Sequence, residues 1–210
     1  DQIANDLANA ATPGYKADRS AHNSFGSLLV TDYPTGSVVG ELSRGVRVDR
    51  QETDFTSQPV RETSEPLDLA VVGEGFFAIQ TPEGLRYTRN GSFQAAANGT
   101  LTDQLGNAVL GPNGQPVQVP AAGATLDPAT VGVSLVPDAR KAGNGYFTGN
   151  ATGQAEDPPR QGALESSSVD PARTMVDMMA SLRAFEAGQK AITTIDSTLD
   201  KAANQVGSLR

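Results

Sequence analysis

The side chains able to do chemistry are few and scattered. Acidic residues gather at Asp49, Glu52 and Asp54 and again at Glu62 and Glu65. Paired carboxylates can serve as general acid and base when one of them is shielded from water. Here Arg50 and Arg61 stand beside them in polar surroundings, so solvated strand edges and turns account for these charges. His22 is the only histidine and there is no cysteine, which excludes a histidine-based metal cluster, a thiolate site and a thiol nucleophile. Ser20-Ala21-His22 could start a nucleophile–base pair, but no acid is placed beside it. Gly73-Glu74-Gly75 is the nearest approach to a phosphate-cradling loop; it lacks a third glycine and runs into a strand pattern, with no helix N-terminus to hold an anion. Asp103–Asn107 lacks the alternating oxygen ligands and terminal glutamate of a calcium loop. Three glycosylation sequons begin at Asn90, Asn98 and Asn150, and turn chemistry explains the first two. The expectation is a protein without catalytic, cofactor-binding or metal-binding residues.

Composition narrows the class further. The chain has 210 residues and a formal net charge of −8, so phosphate backbones are repelled and nucleic acid is not expected as a partner. Hydrophobic residues make up 38% and aromatics 5%, which suggests a thin core of Val, Leu, Ile and Ala. No apolar run approaches the roughly 18–20 residues of a membrane span. The first residue is Asp1, already inside a helical pattern, so a preceding segment is expected to have been removed.

Two helical ends enclose a β-patterned middle. Ile3 and Leu7 recur at helical spacing up to Thr12-Pro13-Gly14, where proline removes a donor and glycine accepts a positive φ. Residues 15–44 read as an extended connector. From Gly45 the period becomes two, with Val46 and Val48 alternating with Arg47 and Asp49. Leu67–Val72, Phe76–Gln80, Leu85–Thr88, a segment near Phe93 and Val131–Val136 follow, separated by Asn90-Gly91, Asn98-Gly99 and Asn113-Gly114. Asn-Gly suits two-residue hairpins, so short antiparallel strands are predicted. The pattern thins from Ala121 to Thr130 and dissolves over 143–162.

The last segment differs in kind. Asp170 and Pro171 supply an N-cap and a first-turn proline, predicting one helix over 171–206, about 54 Å long. Met178, Phe185, Ile192, Leu199 and Val206 fall seven apart. A companion column begins with Met175 and Leu182 and then shifts one position, to Ile195. A seam that drifts in this way suits packing against several neighbours. The short N-terminal helix covers at most a third of it, and soluble monomers avoid exposing such a surface, so partner chains should complete the burial.

Four blocks in order resemble a known family. Ile3–Asn9 leading into Thr12-Pro13-Gly14-Tyr15-Lys16 is similar to the N-terminal "ANNLANxxTxGYK" signature of bacterial flagellar rod, hook and hook-associated proteins. Leu67–Phe77 resembles "LDLAIxGxGFF", and Tyr87–Phe93 with Asn98–Leu101 resembles "YTRxGxFxxxxxGxL". Leu164–Val169, followed by Met175-Val176, Arg183–Glu186 and Lys190, resembles the "LExSNV…MV…RAYExNxK" helix, with Ser167 in place of the usual Asn. The compact middle looks like the flagellar basal-body rod proteins of the distal-rod (FlgG) and proximal-rod (FlgF) type.

The resemblance implies a fold that is mainly β with terminal α-helices: an antiparallel β-domain of short strands inserted between an N-terminal helix and a long C-terminal coiled-coil helix. The divisions would be a truncated N-terminal helix (1–14), a connector (15–44), a β-rich domain (45–162) and the C-terminal helix (163–210). It implies a structural rod subunit, exported by the flagellar type III system, that self-assembles helically in the periplasmic basal body as a torque-transmitting drive shaft. Implied partners are copies of itself, neighbouring rod and hook subunits and the surrounding basal-body rings, without a small-molecule substrate. By analogy the subunit contacts would come from Ile3, Leu7, Met175, Met178, Leu182, Phe185, Ile192, Ile195, Leu199 and Val206. The rival expectation is a secreted β-rich adhesin or binding module trimerised by a coiled-coil stalk.

Overall fold

Apolar residues that alternate between turn signals build short strands, and the structure places most of them in one antiparallel sheet. It is a computed structural model that describes residues 2–24, 27–31, 38–43, 46–120 and 126–207, with side chains described for 2–19, 52–120 and 126–202. The first half holds α1 (Gln2–Ala8), β1 (Asp18–Ser24), β2 (Ser27–Thr31), β3 (Val38–Ser43), β4 (Val46–Thr53), β5 (Val60–Glu62), β6 (Leu69–Ala70), β7 (Phe76–Thr81) and β8 (Gly84–Thr88). The second holds β9 (Gln94–Ala95), β10 (Leu101–Thr102), β11 (Ala108–Leu110), β12 (Val133–Leu135), β13 (Arg140–Gly143), β14 (Tyr146–Thr148), β15 (Gly153–Gln154), β16 (Arg160–Gln161), β17 (Ala163–Glu165) and α2 (Pro171–Gly207). The chain divides into two units: a β-unit running from Asn9 to Val169, and a helical unit that joins α1 to the segment beginning at Asp170.

In the β-unit the main sheet runs β13-β14-β8-β7-β11-β10-β9. β7 is its centre, paired with β8 on one side and with β11 and β12 on the other. Successive side chains of a strand point to opposite faces. Phe77 and Ile79 accordingly enter one hydrophobic cluster, with Leu69, Phe93, Leu101 and Val109, while Phe76 and Ala78 enter a second, with Tyr87, Leu110 and Phe147. Burial on both faces explains why this strand reads as a continuous apolar run.

Among the described residues the unit also holds four smaller ladders: β1–β4, β2–β3, β6–β16 and β5–β17. Three of these strands, β1, β2 and β3, fall within residues 15–44. The side chains of residues 20–51 and 121–125 lie outside what the structure describes.

The structure departs from the sequence pattern at three places. Residues 143–162, where the periodicity dissolves, contribute to β13 and form β14, β15 and β16, and Phe147 is buried there. Pairing with β8 supplies the order that composition does not announce. The core is also more aromatic than the low aromatic content suggests: Phe76, Phe77, Phe93 and Phe147 are all buried, and Phe77 meets Phe93 edge-on with centroids 5.1 Å apart. Few aromatics suffice when those in the sheet are placed centrally. Finally, α1 ends at Ala8, and a turn follows in which the Thr12 N–H donates to the Asn9 carbonyl, 3.1 Å away.

In the helical unit α2 has 37 residues and runs unbroken through Gly188. Its start is capped by Asp170, whose Oδ1 accepts from the N–H groups of Ala172 at 2.9 Å and Arg173 at 3.3 Å. That satisfies two of the donors every helix N-terminus leaves orphaned. α1 packs against α2 in this unit. Among the described residues no helix is long and apolar enough to cross a membrane.

Candidate assembly surface

α2 presents its apolar residues to solvent. Met175 is 51% exposed, Leu182 53%, Phe185 64%, Ile192 61%, Ile195 58% and Leu199 62%. Met178 is half-buried, as are Ile3 and Leu7 on α1, and the side chain of Val206 lies outside the described residues. Val176 and Met179 are exposed as well, which widens the apolar surface beyond the columns read from the spacing. Among the described residues Phe185 is the one exposed phenylalanine; the others are buried or packed against the sheet core.

The polar side of α2 makes no comparable demand. Ser181 donates to the Asp177 carbonyl at 2.8 Å, Thr194 to that of Lys190 at 2.7 Å and Thr198 to that of Thr194 at 2.7 Å. Hydroxyls that bond back onto their own helix are satisfied locally. The apolar side chains have no such local solution and gain only from leaving water.

The candidates for chemistry behave differently. Asp54 pairs with Arg19 at 2.8 Å and accepts from Thr56, whose hydroxyl and N–H hold its carboxyl below the usual range. Glu62 pairs with Arg160, and Glu52 and Glu65 are exposed. The side chains of His22 and Asp49 lie outside the described residues. Asp103 caps its own loop: Oδ1 accepts from the N–H groups of Leu105 and Asn107, while Oδ2 accepts from the Asn107 amide and the Tyr146 hydroxyl. Burial, and then the bond to Asp103, push the Tyr146 phenol up to about 12. Among the described residues no cluster of acidic and histidine side chains is arranged to hold a metal.

One constellation has no counterpart in the sequence pattern. Lys16, Arg89 and Glu165, from three of the four signature blocks, meet inside the β-unit. Glu165 Oε1 accepts from Lys16 Nζ at 2.7 Å and from the Gln58 N–H at 2.8 Å, and its Oε2 accepts from Arg89 Nη1 at 3.2 Å. Lys16 Nζ also donates to the Thr56 carbonyl at 2.8 Å, and the Arg89 guanidinium lies 5.1 Å from the Phe76 ring centroid. Burial pulls the Lys16 ammonium below the ordinary lysine value, opposed by the bond and charge of Glu165 and reinforced by Arg89. Backbone approach is equally tight. Gly14 has φ +65°, and a Cβ there would sit 2.2 Å from the Arg89 carbonyl oxygen, so the chain passes only because the side chain is absent. A charged triad of this kind has no periodicity; the one available signal was that Lys16, Arg89 and Glu165 all fall within signature blocks.

Comparison with known proteins agrees with the four blocks. Residues 160–206 match the family described as flagellar basal body rod FlgEFG protein C-terminal, and residues 70–135 match the flagellar hook protein FlgE/F/G D1 domain. The flagellar basal-body rod protein FlgF of Salmonella typhimurium is 34% identical over an alignment of 243 positions, gaps included, covering 98% of this chain and 91% of the relative. The flagellar hook-basal body complex protein FlhO of Bacillus subtilis is 27% identical, covering 100% and 93%, and the FlgG rod protein of the same organism is 27% identical, covering 97% and 92%. The adhesin alternative has no support in these matches. With full-length similarity above 30% identity, a β-unit built on the matched D1 segment and a C-terminal helix on the other, the chain belongs to the flagellar basal-body rod protein family and is a structural subunit of the flagellar rod.

Proposed function

We propose that this chain is a non-enzymatic subunit that polymerises helically with copies of itself and with neighbouring rod and hook subunits. The observation that carries the proposal is the row of apolar side chains on α2 standing half or more in water, from Met175 to Leu199. A surface of this length is stable in solution only when other helices cover it, and a drifting seam favours several neighbours over a single zipper partner. Ile3, Leu7, Met175, Met178, Leu182, Phe185, Ile192, Ile195, Leu199 and Val206 are proposed as the contact residues. The proposed division is a truncated N-terminal helix (1–14), a connector (15–44), a β-rich domain (45–162) and a C-terminal coiled-coil helix (163–210). The subunit would be exported by the flagellar type III system, occupy the periplasmic part of the basal body and turn inside its rings, transmitting torque. Electron microscopy of cell envelopes from a strain lacking this chain tests the reading. Loss of rod and hook, restored by the full chain, is expected; an intact flagellum would overturn it.

A further inference from the structure

The buried triad makes no contribution to the exposed seam and has a separate physical basis. Lys16 is 0% exposed, Glu165 1% and Arg89 2%, so three charged groups are held out of water together. Their balance is unequal, two cations to one carboxylate, and the buried Arg89 Nε has no hydrogen-bond partner. Apolar side chains of similar volume would hold this space at least as firmly, so stability alone does not explain the cluster.

Its distinguishing property is reach. Glu165 gathers Lys16, Gln58 and Arg89 on its carboxylate, and its carbonyl accepts from the Gly14 N–H at 2.9 Å. Around it the segment that follows α1 and the segment that precedes α2 are bonded side by side. The Ser168 N–H donates to the Tyr15 carbonyl at 3.0 Å, the Ala17 N–H to Ser168 Oγ at 2.7 Å, and Ser167 Oγ to the Asn9 carbonyl at 3.1 Å. Neither segment supplies a residue to either hydrophobic cluster of the sheet. What holds these two segments is therefore chemically different from what holds the sheet.

We propose that Glu165 is the latch of an ionic clasp that fixes residues 14–17 to residues 165–168, and that this clasp opens as a unit separate from the β-sheet core. Polar and charged contacts carry directional information that apolar packing lacks, so the latch sets the register of the two segments. Its removal leaves Lys16 and Arg89 facing each other in a dry site, which drives them apart.

Amide hydrogen exchange on the full chain tests this. In Glu165→Gln the amides of Gly14, Gln58, Ser166 and Ser168 are expected to exchange on the order of a hundredfold faster, while Leu101 and Val117, in the sheet, stay within about twofold of the parent. Lys16→Gln, which keeps the Arg89–Glu165 pair, serves if the first variant does not fold. It should accelerate the same amides about tenfold and again spare Leu101 and Val117. Acceleration of all these amides together would overturn the proposal, because the triad would then belong to the global core. Unchanged exchange at Gly14 and Ser168 would overturn it too.

Discussion

Replacing Phe185 with aspartate should abolish assembly while leaving the isolated chain as stable as before. The Phe185 side chain is 64% exposed in the single chain. A phenylalanine offers about 200 Å² for burial, so roughly 130 Å² remains to be covered by a partner. At about 25 cal/mol per Å² that is about 3 kcal/mol per subunit contact, or more than a hundredfold in an association constant. Aspartate forfeits that gain and adds the cost of an unpaired carboxylate at the interface, several kcal/mol more. In the single chain, by contrast, the side chain is surrounded largely by water, and a surface substitution there should stay within about 0.5 kcal/mol. Two measurements on the same variant separate the effects. Thermal unfolding of the monomer should be unshifted, and sedimentation with electron microscopy, or swimming of a complemented deletion strain, should show no assembly. Normal assembly of Phe185→Asp would refute the seam. Destabilisation of the monomer by more than about 1 kcal/mol would show that Phe185 is packed within its own chain, and would refute the burial reasoning equally.

Three further outcomes follow from the geometry. Gly91→Ala places a Cβ 1.6 Å from the Leu69 carbonyl oxygen, a backbone atom that cannot rotate away, so chemical denaturation should show a loss of at least about 3 kcal/mol or failure to fold. Asp170→Ala removes the acceptor for the Ala172 and Arg173 N–H groups and should lower stability by about 1 kcal/mol, read as fraying of the first turn of α2 by circular dichroism and exchange. The Tyr146 phenol, raised from 10.0 to about 12 by burial and by its bond to Asp103, keeps its proton after the unfolded chain has lost it. The folded state then binds more protons between pH 10 and about 12, so its stabilising contribution is intact below pH 10 and fades as pH rises through that window. Phenolate absorbance followed through the titration, with Asp103→Asn lowering the midpoint, checks this.

The parts of this fold that local pattern encodes are legible in the residues themselves. A proline-led helix with an aspartate cap announces itself within a few residues, and α2 starts at Pro171 as the spacing predicts. Hairpin strands beside Asn-Gly turns are similarly local, as β9 and β10, joined through Asn98-Gly99, illustrate. Strands β14 and β15 are not legible in this way: β14 is built into the sheet by Tyr146 and Phe147 pairing with Thr88 and Tyr87, far back along the chain, and Gly153 pairs with Leu135. The exposed seam on α2 is readable as a column of apolar residues, but its breadth is not: Val176 and Met179 fall off both columns and are still exposed.

By itself the amino-acid sequence determined the mainly β architecture, the helical ends and, through four ordered blocks, the rod family, because periodicity, capping and turn chemistry act over a handful of neighbouring residues. Only the tertiary structure decided which charges would be buried together. Lys16 and Glu165 are separated by 149 positions, and Arg89 and Glu165 by 76, and they still meet in a site closed to water. A solvated and a buried lysine look alike in sequence; the fold distinguishes them by placing Glu165 and the Thr56 carbonyl around Lys16 as they leave water together.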